Sequence, residues 1–144
     1  MSTRSGDLDP GVIVYLLRNE HLSADALEQL LNSQCGIFAF SNGESDMRAL
    51  LERESANDPA AALAVNAFCT AIRKTIGAYA ALMGGLDLLV FTGGIGQHSQ
   101  VIRDRVCRNL AFLGLQATSP NKVLALPSEE ELQIARHTRV LLGR

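Results

Sequence analysis

The chain of 144 residues contains no tryptophan, 5% aromatic residues, three cysteines and no marked excess of either charge. A net charge of -2 with both signs interspersed leaves no basic field for nucleic acid and no polybasic patch for a membrane surface. No apolar run reaches the roughly 18 residues that a spanning helix needs, and the opening MSTRSGDLDP lacks the apolar core of a signal peptide, so the expected compartment is the cytoplasm. Cys35, Cys69 and Cys107 are odd in number, far apart and set in apolar or helical surroundings. They are expected to be free thiols, buried rather than paired or metal-bound. His21, His98 and His137 do not combine with them at ligand spacing, which argues against a zinc site. No internal repeat, low-complexity tract or linker is visible.

What is present fits one domain's worth of chain. Hydrophobic residues make up 47% and charged residues 19%, an ordinary balance that leans apolar and suggests surface normally covered by something else. The most informative stretch is 86–99, LDLLVFTGGIGQHS. A run of strand-forming residues meets three glycines in four positions, and an amphipathic pattern follows. That is the layout of a strand, a turn and a helix. Glycine permits positive φ and lets backbone N–H groups approach an anion closely, so the stretch reads either as a phosphate cradle or as a tight turn with no ligand.

Along the rest of the chain, Asp9 and Pro10 predict the start of a strongly apolar helix over 10–19. Ser23 is expected to cap a second helix, ADALEQLLN, with Leu27, Leu30 and Leu31 at helical spacing. Residues 35–43 read as an extended or turning link, and Ser45 as the cap of a third, short helix, DMRALLERE. Asn57 or Asp58, followed by Pro59, opens the longest periodic segment, which is expected to be central and mostly buried and to stop at Gly84 and Gly85. Residues 86–91 read as an interior strand covered on both faces. His98 or Ser99 then begins a helix with an apolar stripe through Ile102, Val106, Leu110 and Leu113. Arg103, Asp104, Arg105 and Arg108 fall on its solvent side, and Gly114 ends it. Short strands are expected over 115–118 and 123–126, and a last helix from Pro127 and Ser128, acidic first and basic later as the helix dipole favours.

Two nucleotide-binding patterns do not fit. A dinucleotide fold would want a third glycine where Ser99 stands and an acid ending the next strand, where LQAT has none. A phosphate-binding loop of the P-loop type would need a lysine and a hydroxyl residue closing the glycines, and neither follows Gly96.

Four motifs taken together carry a resemblance. RSGDLDPG, SDMR, LDLLVFTGGIGQHSQVIR and PSEEELQIA resemble, in the same order, the C-terminal part of acetate kinases, including acetate/propionate kinases. The likeness implies an α/β fold: the C-terminal ribonuclease-H-like domain of the acetate and sugar kinase/actin superfamily, truncated at its N-terminal strands. It implies ATP and Mg²⁺ as cofactors and acetate or propionate as acyl substrate. By position, Arg4 corresponds to the arginine that contacts the transferring phosphoryl group, a role suited to a planar guanidinium. Asp46, Met47 and Arg48 fall in the segment lining the adenosine pocket; Asp46, with Ser45, also suits helix capping. Gly94, Ile95, Gly96, Gln97 and His98 match the loop lying against the nucleotide. Glu130 matches the carboxylate that helps place magnesium, and from spacing alone it reads as a dipole-favourable charge.

The chain departs from the family at Gln97 and His98, where Glu-Asn is usual, and at Ser128 and Glu129, where Thr-Asn is usual. The family's N-terminal asparagine and serine-rich phosphate loop, acyl pocket and catalytic histidine, arginine and aspartate have no counterpart here, and Met1 falls where relatives often carry an internal methionine. The expectation is a fragment or shortened reading frame, residues 1–144 forming the C-terminal nucleotide-binding part. Alone it is expected to be inactive. The alternative is a non-catalytic nucleotide-binding remnant or half of a split kinase. Missing strands would expose a sheet edge and apolar helix faces and favour self-association. The family is usually homodimeric, which extends to a homodimer here without defining its surface.

Overall fold

The computed structural model describes residues 2–115 and 122–143. It divides into two compact units, Met1–Lys74 and Thr75–Arg144.

The first unit is helical. Helix α1 covers Pro10–Asn19 and α2 Ala24–Ser33, capped by Asp9 and Ser23, whose side chains accept from the N–H groups of Gly11 and Ala26. Residues 35–43 are not an extended link: Gly36–Phe40 form a short helix, α3. Helix α4 covers Met47–Ser55, and its cap is Asp46, one residue after the serine expected there. Helix α5, Pro59–Met83, contributes its first turns to this unit. Ala61, Ala64, Val65 and Cys69 recur at helical spacing along its buried face. Leu27, Ile37, Met47 and Leu50 complete the core of the unit.

The second unit holds the end of α5, which stops at Gly84 in the left-handed region, φ +74°, a conformation glycine adopts without penalty. Strand β1 is Leu89–Phe91, shorter than the expected 86–91, and it pairs in parallel with β2, Val123–Ala125, in the register Leu89 with Val123 and Phe91 with Ala125. Between them lie α6, Gly93–His98, and α7, Gln100–Cys107, followed by a 3₁₀ turn at Ala111–Leu113. Helix α8, Glu130–Leu141, begins later than Pro127 and Ser128 because neither residue has entered helical geometry. The core gathers Phe91, Ile102, Val106, Cys107, Leu110, Leu115 and Val123.

Several expectations change. The strand is not covered on both faces: Phe91 is buried, but Leu88 is 44% and Val90 42% exposed, so apolar character there reflects one packed face and one open face. The long helix is likewise not mostly buried, since Leu63, Tyr79, Leu82 and Met83 are exposed. The glycine turn is itself helical. Helix α7 ends at Cys107, and Gly114 terminates the 3₁₀ turn instead. The strand expected over 115–118 lies outside the described residues apart from Leu115, which is not in a strand. Two strands are found among the described residues, and none of the described helices is long and apolar enough to cross a membrane.

Candidate functional site

Arg4 sits on a segment whose backbone is pinned. The Phe38 N–H donates to the Ser2 carbonyl (2.9 Å), the Cys35 N–H to the Thr3 carbonyl (2.8 Å), and the Ser5 N–H to the Leu31 carbonyl (3.0 Å). The Thr3 hydroxyl donates to the Asn32 carbonyl (2.9 Å). Leu31 and Asn32 belong to the last turn of α2, where carbonyls lack partners within the helix, so the segment satisfies them and is itself fixed. Arg4 is exposed on this anchored backbone, and its fork is suited to an anion. Three residues on, Asp7 forms an exposed ion pair with Lys74 (2.8 Å); the lysine's hydrogen bond and charge hold the Asp7 carboxyl below its ordinary range.

The turn bearing Asp46, Met47 and Arg48 is fixed from the other end of α3. Ser41 is fully buried. Its hydroxyl accepts from the Glu44 N–H (2.9 Å) and lies within hydrogen-bond reach of the carbonyls of Glu44 (2.5 Å) and Phe38 (3.1 Å). Glu44 Oε1 accepts from the N–H groups of Ser45 and Asp46 at 2.8 and 2.7 Å. Asp46 Oδ1 then accepts from the N–H groups of Arg48 (2.8 Å) and Ala49 (3.0 Å), capping α4. Those bonds, first from Ala49 and then from Arg48, lower the Asp46 pKa. The Met47 side chain is a core residue at 5% exposure, whereas Asp46 and Arg48 are exposed.

A second clamp closes the same turn. Arg53 donates from Nε to Asp58 Oδ2 (2.8 Å) and from Nη2 to the Ser41 carbonyl (3.0 Å). Asp58 Oδ1 accepts from the N–H groups of Ala60 (2.9 Å) and Ala61 (3.2 Å) at the start of α5. Its carboxyl is held below the usual range by the Arg53 hydrogen bond first and by these backbone donors next. Helix α3 thus connects the Arg4 segment at one end with the Asp46–Arg48 turn at the other.

In the second unit the glycine stretch leaves β1 through Thr92 and enters α6 at Gly93, whose φ of +71° lies where side chains are strained. Gly96 packs against the strand: a Cβ there would lie in van der Waals contact, 3.4 Å from the Phe91 Cβ and 3.5 Å from the Phe91 carbonyl carbon. Gly94 has open surroundings and is exposed, as is His98, while Ile95, Gly96 and Gln97 are half-buried. The glycines therefore serve both readings, one for conformation, one for strand packing and one leaving accessible backbone.

Arg103 is not on the solvent side. It is half-buried, and Nη1 donates to the carbonyls of Gly96 and Gln97, each at 2.7 Å. Its Nη2 donates to Gln100 Oε1, and Gln100 Nε2 donates to Asp104 Oδ1 (2.7 Å). Ser99 caps α7 through the Ile102 N–H (3.4 Å).

Glu130 opens α8 as an exposed carboxylate. Among the described residues no group of three or more His, Cys, Asp or Glu side chains is arranged to hold a metal. A single hard oxygen donor nevertheless fits magnesium, which takes one or two carboxylates and keeps several waters. None of the three cysteines is in a disulfide, and Cys69 and Cys107 are buried; burial, with Asp104 nearby, raises the Cys107 pKa, as for an inert structural thiol. A concavity of about 410 Å³ is lined by Met83, Gly84, Gly85, Leu86, Asp87 and Leu88, none of them a predicted site residue.

Sequence reasoning missed Ser41, Glu44 and Arg53; it named Asp58 only as an opener of the long helix, which it is, and Arg103 only as a solvent-facing charge. The opposite charges of Arg53 and Asp58 around a turn ending in Pro59 were a weak signal for that pair. Ser41 and Arg103 act on main-chain carbonyls, which leave no trace in residue types.

The Acetokinase family profile matches residues 1–140. Acetate kinase of Treponema denticola is 40% identical to this chain over an alignment covering 99% of the chain and 40% of that protein. Acetate kinase of Carboxydothermus hydrogenoformans matches at the same identity and coverage. Among solved structures, Porphyromonas gingivalis acetate kinase superposes with a TM-score of 0.86 at 35% identity, over 99% of this chain and 40% of that one. A propionate kinase from Francisella tularensis gives 0.85 at 31% identity, over 94% and 39%. The chain therefore spans about 40% of the length of these relatives.

Proposed function

The chain belongs to the acetokinase family, and on that premise we propose that it forms the C-terminal nucleotide-binding part of an acetate or propionate kinase. The observation that carries this reading is that 99% of the chain matches relatives of which it covers 40%. In this reading the α/β fold is part of a ribonuclease-H-like domain whose further strands cover the open face of β1. The exposed Leu88 and Val90 beside and within β1 support that account, as surface that further structure would cover. The compartment it implies is the cytoplasm.

The phosphoryl donor is ATP, and its acceptor is an acetate or propionate carboxylate oxygen, bound only when the remainder of the fold is supplied. Arg4 donates its fork to the oxygens of the transferring phosphoryl group, where charge is redistributed in the transition state. Asp46, Met47 and Arg48 line the adenosine pocket, Met47 as buried support and Asp46 and Arg48 as exposed members. Gly94, Ile95, Gly96, Gln97 and His98 form the loop that lies against the nucleotide. Glu130 would hold magnesium through one carboxylate oxygen, and the ion when bound would neutralise phosphate charge.

Alone, the chain binds MgATP and does not turn it over. Calorimetric titration with MgATP and MgADP, together with an acetyl phosphate assay of the purified chain, tests both halves of the statement. Absence of binding at millimolar nucleotide overturns the site, and turnover free of host kinase overturns the inactivity. The same coverage of 40% favours a second reading, half of a split kinase. Acetyl phosphate formation appearing only when the N-terminal part of the Treponema denticola enzyme is added would establish it. A chain that neither binds nor complements is a remnant.

A further inference from the structure

We propose that Arg103 is the positioning residue of the glycine turn, held in its own place by Gln100, and that it sets nucleotide affinity without touching nucleotide. This rests on the reading of Gly94–His98 as part of the nucleotide site.

Helix α6 is six residues long and three of them are glycine, a composition with little intrinsic tendency to hold a helical turn. Its N-cap, Thr92, makes no side-chain cap bond, and at its far end the Ser99 N–H closes only on the Ile95 carbonyl (3.0 Å). The next two carbonyls, of Gly96 and Gln97, are those a helix end leaves without partners. A single guanidinium nitrogen of Arg103 reaches both at 2.7 Å, and charged donors make the stronger class of hydrogen bond.

The arginine is fixed in turn. Gln100 accepts from its other terminal nitrogen and is itself anchored on Asp104. Ile102 and Val106, on the same helix, are buried at 1% and 0% exposure, so the backbone bearing Arg103 is set by the core. Position is passed from the core through α7 and the guanidinium to the exit of α6. Gly96 also packs on Phe91 at van der Waals distance, which ties the α6 exit to β1. Arginine is charged throughout the accessible pH range, so the guanidinium itself does not titrate, and the one carboxylate behind it, Asp104, touches Gln100 and not the carbonyls of α6.

The experiment uses the full chain. Hydrogen exchange resolved to residues 93–100, melting temperature, and calorimetric affinity for MgADP are measured for wild type, Arg103→Met, Arg103→Lys and Gln100→Ala. Arg103→Met is expected to speed exchange in 93–100 selectively and to weaken MgADP by about tenfold, the scale of a charged hydrogen bond. Arg103→Lys, a point donor, is expected to recover part of both losses, and Gln100→Ala to weaken MgADP by about threefold through loss of a single neutral partner of the arginine. Should Arg103→Met fail to fold, the lysine and Gln100→Ala variants carry the same comparison. Equal MgADP affinity in wild type and variants overturns the proposal. Wild type that binds no MgADP overturns the reading of the site and the affinity role with it, while selective loosening in the variants would still separate the brace from the ligand.

Discussion

The turn carrying Asp46, Met47 and Arg48 is fixed by a buried serine, three carboxylates and an arginine that interlock, whereas the glycine turn of α6 depends on one arginine and its glutamine. In the first, Ser41, Glu44, Asp46 and the Arg53–Asp58 pair each secure a different backbone group. In the second, Gly96 and Gln97 share the same guanidinium nitrogen. Redundant anchoring makes a wall that resists single losses at its surface and is sensitive mainly where it meets the core. A single brace makes a turn whose position responds to one side chain with little change in overall stability.

The largest effect should come from the core beneath the first turn. Leu50 lies on α4 at 0% exposure, and Leu50→Ala is expected to cost about 3 kcal/mol. Urea unfolding followed by far-ultraviolet circular dichroism would read it. Next is Ser41→Ala, which removes the acceptor of the Glu44 N–H inside a buried site; about 2 kcal/mol is expected, the penalty for stranding a buried polar group. A loss near zero would mean that the surrounding bonds suffice without the serine, and the contrast between the two turns would then be sharper still.

Gly96→Ala probes the other side of the comparison. Its backbone needs no positive φ, and the added methyl would sit in ordinary van der Waals contact with Phe91, so stability should change by less than about 1 kcal/mol. MgADP affinity should fall in the same variant if the α6 exit is displaced. Unchanged stability combined with weakened nucleotide would place the whole effect in the turn.

How far residue types alone reveal these features depends on the range of the interactions. Helix α1 occupies the expected 10–19, and α2 starts after Ser23, because Asp9, Pro10 and Ser23 act within three residues. Pro59 and Gly84 bound α5 for the same local reason. Helix α3 escaped notice because five residues give no usable period and its Cys35 cap makes no side-chain bond. It is tied instead by the bonds from Cys35 and Phe38 to the carbonyls of Thr3 and Ser2. Helix α6 escaped notice because glycine argues against helix, and the arginine that secures its end is seven residues beyond Gly96. The candidate site shows the same division. Arg4, Asp46, Arg48, the glycines and Glu130 were recognisable in ordered motifs, but the side chains that fix their backbones act on carbonyls and N–H groups that every residue shares.

The smallest expected effect is electrostatic, and it separates the turns by pH. Asp46 and Asp58 have lowered pKa values, through backbone N–H groups at the first and through Arg53 and backbone N–H groups at the second. A carboxyl whose folded pKa lies below its unfolded value stabilises the fold above the unfolded value and loses that contribution as pH falls through the folded one. The ordinary value is 3.8, so the first turn should hold its full contribution at neutral pH and loosen in the range below 3.8. Asp46→Asn should therefore narrow the difference in stability between neutral and acid solution. The α6 turn is held at Gly96 and Gln97 by the Arg103 guanidinium, which does not titrate in this range, and a carboxylate, Asp104, enters only behind Gln100. Hydrogen exchange along an acid titration should thus loosen 41–49 before 93–100 in wild type. If both turns loosen together, the difference in their anchoring does not govern their response to acid, and a common loss of the core does.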